Sequence, residues 1–536
     1  MIHFMNRVFV FQFVAFALAG TAIADDRPNI VFIFSDDHSP NAIGAYDGSL
    51  KSVNPTPNID KLAAQGMLFK NSFCTNSICG PSRAVIMTGK HSHKNGFMNN
   101  GNSFDWNQQT FPKLLQKAGY ATAIFGKSHL KGSPQGFDDW AVLPGQGLYY
   151  NPDLKTPEGL KTVDGYCTDI VTELAVDWLK EKHEGDKPLM LMVQHKAPHR
   201  NWMPAPRHLH LYDDVKIPEP NTLFDRWWDN EKAARYQELE IDRHMHLNFD
   251  LFVDLVKEFD GDAVKGEYDR TAWGNMRRMS SEQMKVWRDA WEPKDRDFHD
   301  QKLTGDALVR WKFQRYVKNY LRCIKGVDES VGTIMDTLKD LGIDDNTIVI
   351  YSSDQGFFLG DHGWFDKRWM YEESLQMPLI VKWPGTTKPD SVCEKMVQNL
   401  DYAETFLDVA QAEIPDDMQG HSLVPLLKGE TPDDWRKSIY YHYYEYPSVH
   451  MVPRHYGART ERYKLMKFYQ FGDEWEFYDL KTDPDELTNQ YKNPAYAETI
   501  AAVRAELNRL RKDYNDDSDV TEKPKAWQNE MRSPSL

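Results

Sequence analysis

Short apolar runs rich in β-branched and aromatic residues alternate with helix-like stretches along most of the chain. Runs of this kind predict strands buried on both faces of a parallel sheet. Five such strands are predicted at residues 29–34, 121–125, 189–193, 347–351 and 378–382. The helix-like stretches lie at residues 58–65, 111–118, 169–181 and 325–341. This alternation predicts an α/β fold with a doubly wound, mostly parallel sheet flanked by helices.

Two regions depart from this alternation. Residues 207 to about 305 carry many charges, several Trp and little strand pattern, so we expect a mostly helical insertion or a set of lids over the site. Residues 438–446, 463–469 and 474–479 indicate antiparallel strands before a charged helix from about 496 to 514. The pattern predicts a catalytic α/β domain over residues 25–430 and a smaller C-terminal α+β subdomain over 431–536.

The N-terminus has the pattern of a secretory signal peptide, predicted over residues 1–24. Arg7 precedes an apolar run over residues 8–20, and Ala22 and Ala24 supply small residues before Asp25. The run is too short, and too soon followed by polar residues, for a stable membrane anchor. We therefore expect an exported protein without a membrane span, in the periplasm or outside the cell.

Charge and composition narrow the classes of partner. The chain has 64 Lys and Arg against 80 Asp and Glu, a formal net charge of −16, which would repel nucleic acid. An anionic substrate must therefore meet a local cluster of cations. Aromatic residues make up 13% of the chain, including 16 Trp, which is typical of proteins that stack against sugars but also of well-filled cores.

Polar clusters follow four of the predicted strands, at residues 35–38, 126–129, 194–199 and 352–355. Polar residues can simply mark the point where a strand enters a loop. Ligands of doubly wound sheets, however, bind outside the carboxyl ends of the strands, where these four clusters would meet. The pattern therefore predicts a polar site at that edge.

The segment Cys-Gly-Pro-Ser-Arg at residues 79–83 precedes an apolar, helix-like run that ends in Thr88-Gly89. Alone, the pentapeptide could be a proline-directed turn before a helix. In this context it resembles the C-x-P-S-R signature of the type I, formylglycine-dependent sulfatases. The resemblance extends over most of the mature chain through RPNIVFIFSDDH, TPNIDKLAAQG, GKSHL, KAPH and SDQGFFLGDHGWFDK. It is strongest toward exported bacterial carbohydrate sulfatases and N-acetylglucosamine-6-sulfatase-like enzymes, and it implies an alkaline-phosphatase-like fold.

The resemblance implies that Cys79 is oxidised to formylglycine by a formylglycine-generating or anaerobic sulfatase-maturating enzyme. One hydroxyl of the hydrated aldehyde would attack the sulfur of a sulfate ester, and the other would help to expel sulfate and regenerate the aldehyde. Conversion also accounts for the odd number of cysteines, five. Cys74 is the alternative, but it lacks Pro and Arg two and four residues later.

Cations are expected around this nucleophile, because fixed positive charge stabilises developing oxyanions and a leaving alcohol needs a proton. By resemblance, Arg83 and Lys127 would hold the formylglycine hydroxyls and His129 would assist the second step. His199 and Lys367 would contact sulfate and help to protonate the leaving oxygen. Each of these side chains alone could equally be a surface or capping residue. Three other histidines are expected to be structural: His91, His93 and His195.

A divalent cation is predicted from oxygen ligands at two strand ends. Asp36 and Asp37 follow the first strand, Asp354 and Gln355 follow a later one, and residue 79 would complete the set. Hard oxygen ligands suit Ca²⁺, with Mg²⁺ as the alternative. Asp36 and Asp37 alone could be an acidic turn. The family usually has Asn or His where Gln355 stands, and Gln keeps the carbonyl oxygen on a longer side chain.

The expected reaction is hydrolysis of carbohydrate sulfate esters, with the 6-O-sulfate of a glucosamine-type or related sugar as substrate and exo action as the mode. Candidate sugar contacts are Asp361, His362, Arg454 and His455, which could also be polar loop residues. One alternative is a formylglycine-dependent phosphonate or phosphodiester hydrolase of the same superfamily. Another is a non-catalytic sugar-binding homologue, which would have lost catalytic residues that this chain retains.

Overall fold

The computed structural model describes residues 27–53, 55–225, 233–255, 274–469 and 474–519. The predicted signal peptide lies outside the described residues. Within those ranges, no helix has both the length and the apolar character needed to cross a membrane.

The strands are short except at the centre of the main sheet. Their bounds are β1 (Asn29–Ser35), β2 (Met67–Phe69), β3 (Ser72–Phe73), β4 (Ala121–Gly126), β5 (Asp139–Val142), β6 (Asp153–Thr156), β7 (Gly159–Thr162), β8 (Leu189–Gln194), β9 (Thr347–Ser353), β10 (Phe358–Leu359), β11 (Phe365–Asp366), β12 (Leu379–Lys382), β13 (Ser391–Cys393), β14 (Val397–Gln398), β15 (Ser438–Tyr443), β16 (His455–Thr460), β17 (Tyr463–Phe468) and β18 (Glu474–Asp479).

The helices lie between these strands. Their bounds are α1 (Pro57–Gln65), α2 (Cys79–Thr88), α3 (Ser92–Asn95), α4 (Phe111–Lys117), α5 (Cys167–Lys182), α6 (Ser281–Gln301), α7 (Gly305–Asp340), α8 (Glu372–Leu375), α9 (Tyr402–Val409), α10 (Val424–Leu427) and α11 (Ala497–Asp513). Single 3-10 turns occur at Pro40–Ala42, Gly44–Tyr46, Lys51–Val53, Pro206–His208, Ala233–Tyr236, Asp344–Asn346, Asp361–Gly363, Asn399–Asp401 and Pro494–Tyr496.

A mixed sheet of ten strands forms the centre of the described chain, in the order β13-β2-β12-β9-β1-β8-β4-β5-β6-β7. Its central strands β9, β1, β8 and β4 are parallel. Alternate side chains of β1 enter two cores, Val31 and Ile33 on one face and Ile30, Phe32 and Phe34 on the other. Helices α1, α5 and α7 cover the first face, and α2, α4 and α9 cover the second. The doubly wound fold predicted from the sequence is therefore confirmed.

Three expectations about elements were wrong. The predicted parallel strand at 378–382 is β12, which pairs antiparallel with both β9 and β2. It returns through the β10–β11 hairpin and the four-residue α8, without the crossover helix that a parallel return usually needs. Helix α7 begins 20 residues before its predicted start. The expected helical insertion is helical at α6, whereas the described residues 209–225 and 237–255 are mostly turns and coil.

The C-terminal region is an antiparallel sheet in the order β15-β16-β17-β18, as the predicted α+β subdomain requires. One face packs on α11 through Ala458, Leu465 and Leu507. The other joins the core of the catalytic part through Tyr441 and Met466. The predicted boundary at residues 430 and 431 falls between α10 and β15, and it stays a prediction.

Candidate active site

The carboxyl ends of the central parallel strands meet at one edge of the sheet. The register pairs Ser35 with Ser353, and it pairs Gln194 with both Phe34 and Gly126. Gly126 permits the close approach of β4 to β8, because a Cβ there would lie 2.0 Å from the Gln194 carbonyl oxygen, at φ +101°. The four polar strand ends predicted from the sequence therefore converge.

Three carboxylates lie at the centre of this edge. Asp36, Asp37 and Asp354 are fully buried, and one oxygen from each lies within 4.8 Å of the others. The amide of Gln355 donates to Asp354 Oδ1 at 2.7 Å and also to Asp37. Among the described residues, Asp36 Oδ1 and Gln355 Oε1 have no hydrogen-bond partner. This all-oxygen donor set, with three buried negative charges, fits a hard divalent cation.

The electrostatics of the three carboxylates differ. Burial raises the pKa of Asp37 to about 6, against the opposing effect of Lys367. Burial and then the neighbouring Asp36 raise the pKa of Asp354 to about 8. Burial acts in the same direction on Asp36, but Lys127 and other cations hold its pKa well below the usual value. The cluster therefore contains more negative charge than its buried surroundings favour.

Lys127, Lys367 and Arg83 each form an ion pair with the carboxylate cluster, and Arg83 Nη2 also lies 3.8 Å from Asp36 Oδ1. Lys127 Nζ donates to Asp36, and Lys367 Nζ donates to the two oxygens of Asp37 at 2.6 and 2.7 Å. Arg83 Nε and Nη2 lie 3.1 and 3.0 Å from Asp354 Oδ2. Burial alone would lower the pKa of Lys367, but Asp37 raises it above its usual range. These three side chains therefore place positive charge beside the carboxylate cluster.

Cys79 is the first residue of α2 and is 1% exposed. Its Sγ lies within 4.8 Å of a carboxylate oxygen of Asp36 and a ring nitrogen of His199. Burial raises the pKa of the thiol to about 11, although Lys127 and Lys367 oppose this. An unmodified Cys79 is therefore protonated near neutral pH. The expected alternative, Cys74, is fully buried, and its Sγ lies 3.8 Å from the Ser374 carbonyl oxygen.

The two predicted catalytic histidines are both held neutral. His199 Nδ1 donates to the Arg200 carbonyl oxygen at 2.5 Å, which places Nε2 toward the site, 3.9 Å from Asp37 Oδ2. Burial, and then Lys127, lower the pKa of His199 well below its usual value. The same two causes lower the pKa of His129, whose backbone has φ +53°. Neutral imidazoles with one oriented nitrogen are suited to proton transfer.

Sequence reasoning missed the amides that orient the cations. Gln194 accepts from Arg83 Nη1 at 2.6 Å, and Gln146 accepts from Lys127 Nζ. It also missed Lys196, which is 3% exposed and lies 4.7 Å above the Tyr149 ring. Burial lowers the pKa of Lys196 to about 8. Gln194 could have been found, because it ends a strand that the pattern predicts, whereas Gln146 comes from a loop without such a signal.

A buried ionic network next to Lys367 was also missed. Asp366 and Arg368 flank this lysine, are 4% and 7% exposed, and have left-handed backbones with φ of 74° and 90°. Asp366 Oδ2 lies 3.4 Å from His450 Nε2, and Arg368 Nη1 lies 2.8 Å from Glu445 Oε2. Strained backbone is concentrated at functional sites, and here it occurs on both sides of one predicted catalytic residue.

The four residues predicted to contact the sugar have different hydrogen-bond and packing partners. Asp361 Oδ2 accepts from the Leu359 N–H at 3.3 Å, and His362 Nδ1 lies 3.0 Å from Asp225. Arg454 Nη2 donates to the Tyr446 carbonyl oxygen at 2.6 Å. His455 has no exposed surface and is packed among aromatic rings of Trp369, Tyr441, Tyr443 and Phe468, so its contact with a sugar stays a prediction.

Comparison with known proteins connects this geometry to a family. A model described as Sulfatase matches residues 28–412, and one described as N-sulphoglucosamine sulphohydrolase, C-terminal, matches residues 360–513. The chain is 46% identical over 496 residues to N-acetylglucosamine-6-O-sulfatase of Bacteroides thetaiotaomicron, covering 91% of this chain and 87% of the relative. It is 26% identical over 452 residues to human N-acetylglucosamine-6-sulfatase, covering 79% and 68%.

A solved structure with its substrate D-glucosamine-2-N,6-O-disulfate superposes on this one with a TM-score of 0.88. The two chains are 45% identical, and the match covers 92% of this chain and 100% of the other. The fold, the family match and the cluster around Cys79 agree. The chain belongs to the sulfatase family, the enzymes that hydrolyse sulfate esters.

Proposed function

We propose that this enzyme hydrolyses the 6-O-sulfate ester of N-acetylglucosamine or a related glucosamine sugar, acting on the terminal unit of a sulfated saccharide. The observation that carries the proposal is the convergence of Cys79, three carboxylates and three cations at one buried edge of the sheet. The similarity to N-acetylglucosamine-6-O-sulfatase over most of the chain supports the choice of sugar. We also infer export to the periplasm or medium, and maturation by a separate enzyme.

In this proposal, Asp36, Asp37, Asp354 and Gln355 would hold Ca²⁺ or Mg²⁺, which would supply positive charge to the sulfate oxygens and the nucleophile. The two unpartnered oxygens, Asp36 Oδ1 and Gln355 Oε1, support this role. Lys367 Nζ, which donates to both oxygens of Asp37, would bind a sulfate oxygen in the complex. Positive charge aimed at the sulfuryl oxygens stabilises the charge that develops during transfer.

Residue 79 would act as formylglycine, whose hydrated aldehyde supplies the hydroxyl nucleophile. Lys127 and Arg83 both reach the carboxylate cluster, and their hydrogen bonds to Gln146 and Gln194, respectively, orient them. Because the Nδ1–H of neutral His199 is committed to the Arg200 carbonyl oxygen, its Nε2 is a proton acceptor. In this proposal Nε2 would take up the proton released by the attacking hydroxyl and then pass it to the leaving sugar oxygen. His129, which burial and Lys127 keep neutral, would move the proton that accompanies sulfate release.

Sugar recognition would depend on the residues that flank Lys367. Asp366 would accept and Arg368 would donate hydrogen bonds to the sugar ring. Both residues flank Lys367, which would bind the sulfate group of that sugar. Their ionic partners His450 and Glu445 hold them in place. Asp361, His362 and Arg454 remain candidates for a second layer of sugar contacts.

Replacing the nucleophile tests the proposal. Cys79→Ala should lower turnover of N-acetylglucosamine 6-sulfate by at least about a thousandfold, because the group that attacks sulfur is absent. The thermal midpoint should stay near that of the unchanged protein. Cys74→Ala is the matched control, since it also removes a buried thiol five residues away and should retain turnover.

Comparing sulfate and phosphate esters of the same sugar distinguishes a sulfatase from a phosphate or phosphonate hydrolase. The 6-sulfate should be hydrolysed faster than the 3-sulfate and faster than the 6-phosphate of the same sugar. Turnover that survives in Cys79→Ala would remove the nucleophile assignment. Preference for the phosphate ester would favour a phosphate or phosphonate hydrolase instead.

A further inference from the structure

A second cavity lies on the outer side of α7, between this helix, α6 and the segment after Pro206–His208. It has a volume of about 490 Å³, and we call it the outer pocket. Its lining includes four cations, Lys294, Arg315, Lys318 and Arg322, together with Trp311. A concentration of cations of this kind is unexpected on a protein with a formal net charge of −16.

The four cations are incompletely neutralised. Asp213 Oδ1 lies 2.7 Å from Lys294 Nζ and 2.6 Å from Arg322 Nη2, so one carboxylate serves two cations. Arg315 Nη2 lies 3.1 Å from Asp295, and Lys318 Nζ donates to a neutral acceptor, the Asp213 carbonyl oxygen, at 3.1 Å.

Other donors of the cluster also end on neutral backbone oxygens. Lys294, Arg315 and Arg322 donate to the carbonyl oxygens of Leu209, Leu251 and Leu211. Two further carboxylates lie nearby: Asp297 lines the cavity and accepts from Gln301, and Asp214 acts on Lys318 at longer range. Within the described residues, however, the ion pairs of the four cations are made by Asp213 and Asp295.

Burial, and after it the neighbouring cations, lower the pKa values of Lys294 and Lys318. Burial, and then Arg322, lower the pKa of Lys294 to about 8. The same two causes lower the pKa of Lys318, and burial lowers that of Arg315 to about 10. An anion bound among them would offset this effect of the neighbouring cations.

Two tryptophan rings lie at the outer pocket, one in its lining and one buried beneath it. Trp311 is partly exposed, lines the cavity and packs on Phe298 with the ring centroids 4.2 Å apart. Trp291 is fully buried beneath, with Arg315 and Lys294 4.3 and 4.9 Å from its ring centroid. An indole beside guanidinium and ammonium groups suits a sugar ring that carries an anionic substituent. The cavity is within the size range of small-molecule sites.

The outer pocket is separate from the catalytic site. Both use α7, but from different faces. Tyr316 and Tyr320 point inward and donate to the carbonyl oxygens of Phe358 and Asp37, at 2.8 and 2.6 Å. Arg315, Lys318 and Arg322 have the i, i+3, i+7 spacing of another face of the same helix.

We propose that the outer pocket binds the sulfate group of a sulfated saccharide unit, as a second, non-catalytic site. Its cations would hold the sulfate and Trp311 would contact the sugar ring. The proposal goes beyond the hydrolysis proposed above, since binding at this pocket needs no turnover. A saccharide held here would keep a polymeric substrate on the enzyme between catalytic events.

Calorimetric titration of the Cys79→Ala protein with a heparin-derived tetrasaccharide tests the proposal. Two binding events are expected, and adding Lys318→Glu should weaken one of them by at least about tenfold. Lys339→Glu is the matched control, because it makes the same charge change on an exposed residue of α7 outside the pocket. Lys318→Gln is the second variant, and it removes the charge without reversing it.

Titrations of the same protein with other ligands identify what the outer pocket binds. Unsulfated chitotetraose should not bind the pocket, and sodium sulfate should bind at least about tenfold more weakly than the tetrasaccharide. Equal affinity for sodium sulfate would assign the pocket to the free anion and overturn the saccharide. Unchanged binding in both Lys318 variants would overturn the pocket itself. Hydrolysis of monosaccharide 6-sulfate by Lys318→Glu reports on the proposed function separately, and should be unaffected.

Discussion

Two nearby histidines that burial affects alike differ in their hydrogen-bond partners. His195 and His199 lie on one loop after β8, and burial lowers the pKa of both. His199 has one nitrogen bound to a backbone oxygen and the other facing Asp37. Both ring nitrogens of His195 are enclosed and have no partner among the described residues. His199 can therefore exchange a proton at the site, whereas His195 fills space in the core.

His195 should make the enzyme sensitive to acid. Burial lowers its pKa to about 3 in the folded protein, whereas in the unfolded chain this histidine takes up a proton below about pH 6.5. Protonation therefore favours the unfolded chain, and stability falls as the pH drops below about 6.5. Between about pH 7 and pH 5.5 this histidine alone should cost about 1.2 kcal/mol. Urea unfolding at both pH values should show that His195→Phe loses less stability than the unchanged protein. Equal losses in the two proteins would contradict this origin of the acid sensitivity.

Most side chains that meet at the candidate site could be predicted from single positions, because Cys79, Lys127 and Asp354 lie in motifs or directly after predicted strands. Gln146 could not, because its contact with Lys127 depends on the path of a loop. The surroundings of His455 could not be predicted either, because the residue begins β16, a strand that the pattern did not predict, and its side chain turns into the aromatic core.

At the scale of elements, α7 connects several parts of the molecule. The sequence indicated only its second half, because the first half carries the charged residues of the outer pocket among its apolar ones. The direction of β12 could not be predicted either, since a short apolar run is compatible with both parallel and antiparallel pairing. On its inner face, α7 supplies the Tyr320 hydroxyl, which donates to the Asp37 oxygen and accepts from the Ser39 N–H at 2.9 Å.

Tyr320→Phe should loosen the metal site. Loss of the hydroxyl frees the Asp37 backbone, so we expect about tenfold weaker Ca²⁺ affinity and a similar loss of kcat/KM. Tyr316→Phe is the control one turn earlier, where the hydroxyl bonds to the Phe358 oxygen. Each variant should lose about 1–2 kcal/mol of stability. Calcium titration of chelator-treated protein measures the difference, and equal Ca²⁺ affinities in the two variants would contradict the positioning role.

At the scale of the whole molecule, buried ions fix the C-terminal sheet to the catalytic part. Lys464 on β17 lies 2.8 Å from Glu372 and 2.8 Å from Glu486. Arg459 on β16 lies 3.1 Å from Glu372, which begins α8, five residues after Lys367. Although burial would raise the pKa of Glu372, Arg459 and Lys464 lower it to about 2. The C-terminal sheet therefore holds the segment that carries Lys367 to the site.

Lys464→Met should lower both stability and activity. It leaves Glu372 and Glu486 buried without their shared cation, at a cost of about 3–5 kcal/mol. The displaced α8 should also reduce turnover through Lys367. Thermal unfolding and kcat measure the two effects, and Glu486→Gln added to Lys464→Met should restore part of the loss.

The control for this change is Lys51→Met, which breaks an exposed pair with Asp47. Because exposed pairs contribute little, its thermal midpoint should match that of the unchanged protein. A Lys464→Met protein that unfolds at the same temperature as Lys51→Met would show that the buried ions do not hold the sheet in place.

The distance along the chain between the parts of the site has a consequence for biosynthesis. The pocket around Cys79 closes only when β9 brings in Asp354, and Ser82 next to it receives a hydrogen bond from Asn399. Cys79 leaves the ribosome about 275 residues before Asp354, which at common translation rates corresponds to roughly 14–55 s. We expect the proposed maturating enzyme to act during that interval, because the Cys79 side chain is 1% exposed once the protein has folded.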